Sequence, residues 1–258
     1  VQKIADYVAD CLANGAPAVI LARPATQPAN ADSWAAPATA ADWAAVLAQV
    51  TEEYGAVAQV ALPGATTTVA RDGLALHAAA FASRTIFMDA AADADADALV
   101  ALTTGYNAQA GSPRMTIAAP WVTVQGPGST TRDVPASVLM MGRVAAGDAV
   151  VGHTNHAPAG DQRGRGAGII VGGVKVKTTF TSAQLDALDD AGVSVIRMER
   201  GRPTIMGWVS VSADQTFHQL NVGRFIGQCV AGIRDLGRQF LFVPLDAGTF
   251  SDFETAIR

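Results

Sequence analysis

Arg84-Thr85-Ile86-Phe87-Met88-Asp89 decides the fold class. Its apolar residues run on without alternating with polar ones. A strand of that kind is buried on both faces, which is the habit of a parallel sheet covered by helices. Helices are expected on either side. Residues 66–82 carry Val69, Leu74, Leu76 and Phe81 as candidate core at helical spacing. After the strand, Asp89 to Asp97 alternates Asp and Ala, a solvated loop leading into a helix over Ala98–Ala110.

The same alternation extends outward. Ile4, Tyr7, Val8, Cys11 and Leu12 space a first helix over residues 3–13, stopped by Asn14-Gly15. Ala18–Ala22 reads as a short buried strand, and 24–42 as a Pro- and Ala-rich loop ending in an N-cap near Thr39 or Asp42. Trp43 to Tyr54 is a helix closed by Gly55; Val57–Leu62 is a strand closed by Pro63-Gly64. Met115–Ala119 and Trp121–Val124 read as one strand bent at Pro120. Helices alternating with short apolar strands give an α/β domain with a mainly parallel sheet.

The second half changes character. A small-residue helix is expected over Pro135–Ala149, an irregular glycine-rich loop over 152–168, and an extended segment over Val174–Phe180. A helix over Ser182–Asp190, capped by Ser182, ends at Gly192. Val193–Met198 and Ile205–Val211 read as a hairpin around Arg200-Gly201-Arg202-Pro203. Leu220–Leu236 is a long amphipathic helix, Phe240–Val243 is strand-like, and Phe250–Arg258 opens another helix. There is no internal repeat.

The 258 residues are 50% hydrophobic and 16% charged, a balance that forms a packed core rather than a disordered chain. The net charge of −5 is unevenly spread: residues 1–110 hold 4 basic and 11 acidic side chains, residues 111–258 hold 14 and 12. No dense Lys/Arg stripe of a nucleic-acid protein is present, so nucleic acid is not an expected partner. The asymmetry suits a molecule that touches copies of itself or an oppositely charged partner. No apolar run reaches the ~18 residues of a membrane span, and no signal peptide is visible, so membrane insertion is not expected. Cys11 and Cys229 both sit among apolar neighbours and read as buried free thiols made in a reducing compartment. The chain starts at Val1 without Met and stops at Arg258, which reads as a piece of a longer protein.

No residue grouping makes a convincing catalytic, metal or cofactor site, and none of the three is expected. His77, His153, His156 and His218 lack a nucleophile elbow. Asp72, His77 and Ser83 could be joined into a hydrolase triad only by assumption. His153 and His156 lack a third metal ligand in their glycine-rich loop. Gly164-Arg165-Gly166-Ala167-Gly168 suggests a phosphate cradle, with Arg163 and Arg165 as anion contacts. The sixth position of the dinucleotide fingerprint, however, is Ile169, and no P-loop Lys-Ser/Thr follows. A flexible or hinge loop is the expectation there. The Asp-Ala tract at 89–97 lacks the glycine and terminal glutamate of a calcium loop.

An ordered series of short elements resembles the tail sheath proteins of contractile phage tails and related injection machines. Trp121-Val122-Thr123-Val124 precedes Gly126-Pro127-Gly128, then Asp133-Val134-Pro135-Ala136-Ser137 and Gly142-Arg143-Val144-Ala145. His156-Ala157-Pro158-Ala159-Gly160 follows, then Gly192 to Arg197, Gly201-Arg202-Pro203 with Met206 to Ser210, and Gln219 to Phe225. In the first half, Ala13-Asn14-Gly15 with Ala18–Arg23, and the strand ending in Leu62-Pro63-Gly64, fit the same pattern more loosely. Departures are Asn155-His156 where the family has Trp-Lys, and Gly223-Arg224 where it has paired arginines.

The resemblance implies a subtilisin-like layered α/β domain with a mainly parallel sheet over 1–213, without a protease triad. It implies that 214–258 begin a smaller α+β C-terminal sheath domain, incomplete here and facing the tube. The implied role is a non-enzymatic structural subunit of a virion tail, assembled in the host bacterial cytoplasm. Copies of the chain stack as hexameric rings around a tail tube, between baseplate and tail terminator, and the stack contracts to drive the tube through the target envelope. On this reading the exposed face of Leu220–Leu236 carries the contact residues Arg224, Arg234 and Asp235, with Arg238 just beyond. Two rivals are a hydrolase on a subtilisin-like scaffold, dependent on His77 or Ser83, and another virion or capsid-like structural subunit.

Overall fold

The computed structural model describes residues 2–22, 37–50, 57–162, 164–244 and 246–257. Its centre is a five-stranded sheet: β1 (Gln59–Ala61), β2 (Thr85–Asp89), β3 (Met115–Ala119), β7 (Val193–Glu199) and β8 (Arg202–Ile205), in that order. The first four strands are parallel and β8 returns antiparallel. β2 and β3 are buried at every position, as a strand sandwiched between two layers must be. The mainly parallel α/β architecture expected from the sequence is therefore present.

One face of the sheet is covered by α3 (Thr68–Ala80), α4 (Ala96–Thr104) and α6 (Ser182–Ala191). Leu74, Leu99 and Leu188 from these helices pack on Ile86, Ile117, Val193 and Val195. α2 (Ala40–Ala48) lies on α3. The other face carries α5 (Ala136–Val151), backed by α1 (Gln2–Ala13). Beside them is a second, antiparallel sheet ordered β5 (Thr131–Val134), β4 (Val122–Gln125), β6 (Gly173–Val176). Phe87, Ala118, Ile196 and Ile205 meet Leu139, Met140, Val122 and Val176 in this second core. α7 (Leu220–Arg238) and α8 (Ala247–Ile257) follow.

Capping chemistry sets several boundaries. Thr39 caps α2 in a reciprocal box with Asp42, one of the two expected positions. Asp95, within the Asp-Ala tract, accepts from Ala98 N at 2.8 Å and starts α4 at Ala96, two residues earlier than its apolar spacing suggests. α6 is capped by Thr181 with Gln184, so Ser182 is the first helical residue rather than the cap.

Several sequence expectations are corrected. Ala18–Ala22 forms no strand: Val19 packs on the core, whereas Ile20 and Leu21 are exposed and no sheet edge meets them among the described residues. Met115–Ala119 and Val122–Gln125 are two strands in two sheets, not one bent strand. In α3, Leu74 is core but Val69 and Leu76 are exposed. The second hairpin strand is Arg202–Ile205, not Ile205–Val211. Arg200 (φ 48°) and Gly201 (φ 78°) form the two-residue turn, so pairing begins at once and Pro203 lies opposite Met198. Met206 N and Gly207 N then both donate to Val195 O, and Val211 N donates to Met115 O, so 206–211 fold across the sheet's end. Phe240–Val243 is a turn. The part of the expected helix beyond Val50, most of the loop over 24–42, and Arg163 lie outside the described residues.

Candidate interaction surface

The residues nominated for chemistry do not assemble a reaction centre. His77 is buried, stacked on Phe81 at 4.5 Å, with Nε2 3.1 Å from Arg84 Nη1. Burial and the Arg84 guanidinium push its pKa down to about 4, so the imidazole is neutral at pH 7. Asp72 accepts from Tyr106 Oη at 3.0 Å. Ser83 Oγ is buried without a hydrogen-bond partner. No hydrogen bond links these three groups among the described residues, and a triad needs each member to hold the next. His153 Nδ1 accepts from Asn155 N, whereas His156 Nδ1 lies 3.4 Å from Asp148. The described residues include no cluster of three or more potential metal ligands.

The glycine-rich loop is stitched to the core. Arg143, on α5, donates at 3.0 Å to both Gly166 O and Ala167 O. Gly160 N donates to Ile205 O, Ile205 N to Gly168 O, and Ile170 N to Pro203 O, so 160–170 lie along β8. A phosphate cradle needs its amides turned outward; here Gly160, Gly166, Gly168, Ile169 and Ile170 spend theirs within the chain.

The contact residues proposed on α7 separate into two groups. Arg224 is buried at 2% exposure, not on an exposed face. Its guanidinium lies 2.6 Å from Asp148 and 3.3 Å from Thr154 O, with its carbon 5.6 Å from the centre of the Trp208 ring. Burial lowers its pKa and the Asp148 carboxylate opposes that fall. Gly223 and Gly227 make the burial possible. A Cβ on Gly223 would run into the Pro113 carbonyl, and one on Gly227 would stand 2.8 Å from Ala82 O. α7 therefore sits directly on the backbone of the α/β core, and Arg224, on the same helix face as Gly223 and Gly227, is directed inward while Phe225 and Ile226 face out. Leu220 completes the anchor within the second core.

Beyond this anchor, Arg234, Asp235 and Arg238 are exposed, with Arg238 Nη1 3.6 Å from Asp235 Oδ1. Phe225, Ile226 and Ile233 share the exposed surface of α7 with them. Cys229 is exposed there too, against the expectation of a buried thiol; Cys11 is buried, and burial raises its pKa to about 11. α8 folds back on α7, with Phe240 and Phe253 edge to face at 5.1 Å. Sequence reasoning missed the Asp148–Arg224 pair. A helical wheel places an arginine outward, and only the two flanking glycines hinted at close contact.

The other polar centre is Asp89, fully buried at the end of β2. Its carboxylate accepts from Ser137 N and Oγ and from Gly64 N, tying the start of α5 to β2. Burial pushes its pKa up to about 6, while those donors and Arg71 pull the other way. The helix N-terminus favours the ionised form.

Among the described residues no helix is long and apolar enough to cross a membrane. No protein-family model matches the chain, and no curated protein matches it. Solved structures do. The helical sheath of the anti-feeding prophage in its contracted state is 22% identical, with a TM-score of 0.62, over 84% of this chain and 56% of that one. A subunit of the anti-feeding prophage baseplate structure is 20% identical, with a TM-score of 0.63, over 84% and 55%. The sheath tail protein of Desulfitobacterium hafniense is 15% identical, with a TM-score of 0.55, over 83% and 46%. The chain thus spans about half the length of these structures. Over 84% of its length, this chain shares the fold of contractile sheath proteins.

Proposed function

We propose that the protein is a structural subunit of a contractile sheath. It polymerises as stacked hexameric rings around an inner tail tube, between a baseplate and a tail terminator. Contraction of the stack drives the tube through a target envelope, in a virion tail assembled in a bacterial cytoplasm. The observation that carries this reading is the fold shared with sheath structures over 84% of the chain. Supporting it too, no hydrogen bond joins Asp72, His77 and Ser83 among the described residues. A machine of this kind works by exchanging packings between subunits, and each subunit need supply only a few kcal/mol.

On this reading residues 1–213 form the outer α/β unit and 214–258 begin the tube-facing unit. The first half of α7 anchors the second unit on the first, and Arg234, Asp235 and Arg238 face the tube. The test is negative-stain microscopy of the protein produced with and without its tube protein. Striated tubular sleeves are expected. Monodisperse monomers with hydrolytic activity lost on changing His77 or Ser83 would replace this reading with an enzymatic one.

A further inference from the structure

Acidic and basic residues fall on opposite sides of the β7–β8 edge of the sheet. Segments 85–113 and 178–196 contain no Lys or Arg and seven aspartates. The fold brings them together, because α4 and α6 pack side by side. Asp93, Asp97, Asp186 and Asp190 are exposed there. Beside them runs a groove of about 410 Å³ between α6 and β7, with Leu185, Val193, Val195 and Met206 among its lining. Asp186, Asp189 and Asp190 line it too, with Arg197 the one cation. Arg197 is already paired with Glu199 at 3.1 Å, and Asp189 lies 3.3 Å from His218.

The opposite face of the sheet, where β6 and the loop along β8 pack, carries the reverse charge. Gly173 of β6 stands against Pro203 of β8, and Ile170 N donates to Pro203 O. These contacts gather Lys175 and Lys177 from β6, Arg200 from the hairpin turn, and Arg165 from the loop, whereas Arg202, opposite Glu199, lies on the groove side of the hairpin. All four gathered residues are exposed. Asp133 and Asp161 are the carboxylates among them, at 2.7 Å from Lys177 and 4.0 Å from Arg200.

We propose that the groove between α6 and β7, edged by the aspartates of α6 and of the start of α4, is the docking surface for the basic face at β6 and the β7–β8 turn of a second copy of this chain. The occupant follows from charge complementarity: the basic face matches the groove in sign and is displayed on the far side of the same sheet. One copy can therefore offer its groove to one neighbour and its basic face to another. Such a head-to-tail contact makes a ring or a helix rather than a closed dimer. Met206, which is exposed, supplies apolar contact, and the aspartates set partner choice and approach rate. The inference rests on the sheath reading for self-assembly and adds the surfaces that meet.

The test is a charge swap in the full chain, followed by sedimentation velocity at 50 and 500 mM salt and by negative stain. Asp186→Lys/Asp190→Lys presents two basic faces, and Lys175→Glu/Arg200→Glu presents two acidic ones. Each double variant alone should self-associate at least about tenfold more weakly than wild type at low salt. An equimolar mixture of the two should recover assembly, because every reversed face then finds an opposite partner. Wild-type association should weaken at 500 mM salt, where screening is complete within a few ångströms. Circular dichroism controls for folding, and Asp186→Asn/Asp190→Asn gives a milder variant with the same direction of effect.

Wild-type association by either variant alone overturns the proposal, as does a mixture of folded variants that stays dissociated, or a wild-type chain monomeric at both salts. Sleeves formed equally by both variants would sink these surfaces and leave the sheath reading standing. Closed, non-tubular oligomers that the swaps dissolve and the mixture restores would do the reverse.

Discussion

Arg224 of α7 lies 2.6 Å from Asp148 near the end of α5, and this pair ties α7 to the helix that supports the central sheet. His156 and Gln59 converge on the same carboxylate. Removing one partner of a buried pair leaves the other charge stranded, which costs about 3–5 kcal/mol. Asp148→Asn and Arg224→Met should each destabilise by close to that amount. The double variant should lose well under the sum. Urea unfolding of the four proteins measures the coupling, and strict additivity would show the pair to be incidental.

The close approach of α7 makes opposite predictions at two of its glycines. Gly223→Ala should destabilise by several kcal/mol, because the added methyl group meets the Pro113 carbonyl. Gly232 has open space around its Cβ position, so Gly232→Ala should stabilise by about 0.5–1 kcal/mol through helix propensity. Thermal melts of both variants check the difference in sign.

His77 predicts a pH dependence. Its folded pKa is about 4, below the ordinary 6.5. The unfolded chain binds the proton more tightly between these values. The stability this group gives is complete above pH 6.5 and is lost as pH falls toward 4, by about 2–3 kcal/mol. Asp89, with its pKa raised to about 6, tilts the curve the other way, because its contribution fades as pH rises from about 4 to 6. His77→Gln should therefore flatten or reverse the wild-type rise in stability from pH 4 to 6.5. Unfolding free energies at half-unit pH steps provide the check, and parallel curves for the two proteins would contradict the assignment.

Exposed charges at the end of α7 should act on assembly rather than on folding. Arg234→Glu/Arg238→Glu should change the unfolding free energy by less than about 1 kcal/mol, as expected for surface charges. On the proposed sheath reading, it should weaken co-sedimentation with a tail tube most strongly at low salt. Unchanged binding to the tube would remove these arginines from the contact.

The parts legible in the sequence were those governed by local pattern. Thr85–Asp89 and Met115–Ala119 are continuous apolar runs, and only a doubly covered strand accommodates them. Ala18–Ala22 has the same look, but an apolar run becomes a strand only where a sheet edge receives it. The hairpin was misplaced because Pro203 looked like part of the turn, whereas the positive φ angles of Arg200 and Gly201 close it two residues earlier. Arg224 was misread because its burial depends on Asp148, 76 residues away, and on backbone contacts at Gly223 and Gly227. The α4/α6 acidic face was not legible as one surface, because the Asp-Ala tract and the aspartates of α6 lie far apart in the chain and only the packing of the helices joins them.

The most direct test is helical reconstruction of the assembled particles before and after a contraction trigger. The account predicts a tubular lattice around a central tube whose axial rise shortens, with the α/β core superposing unchanged between the two states and only its contacts with neighbouring copies altered. Particles of fixed rise, or a core that remodels internally while its neighbours stay put, would contradict it.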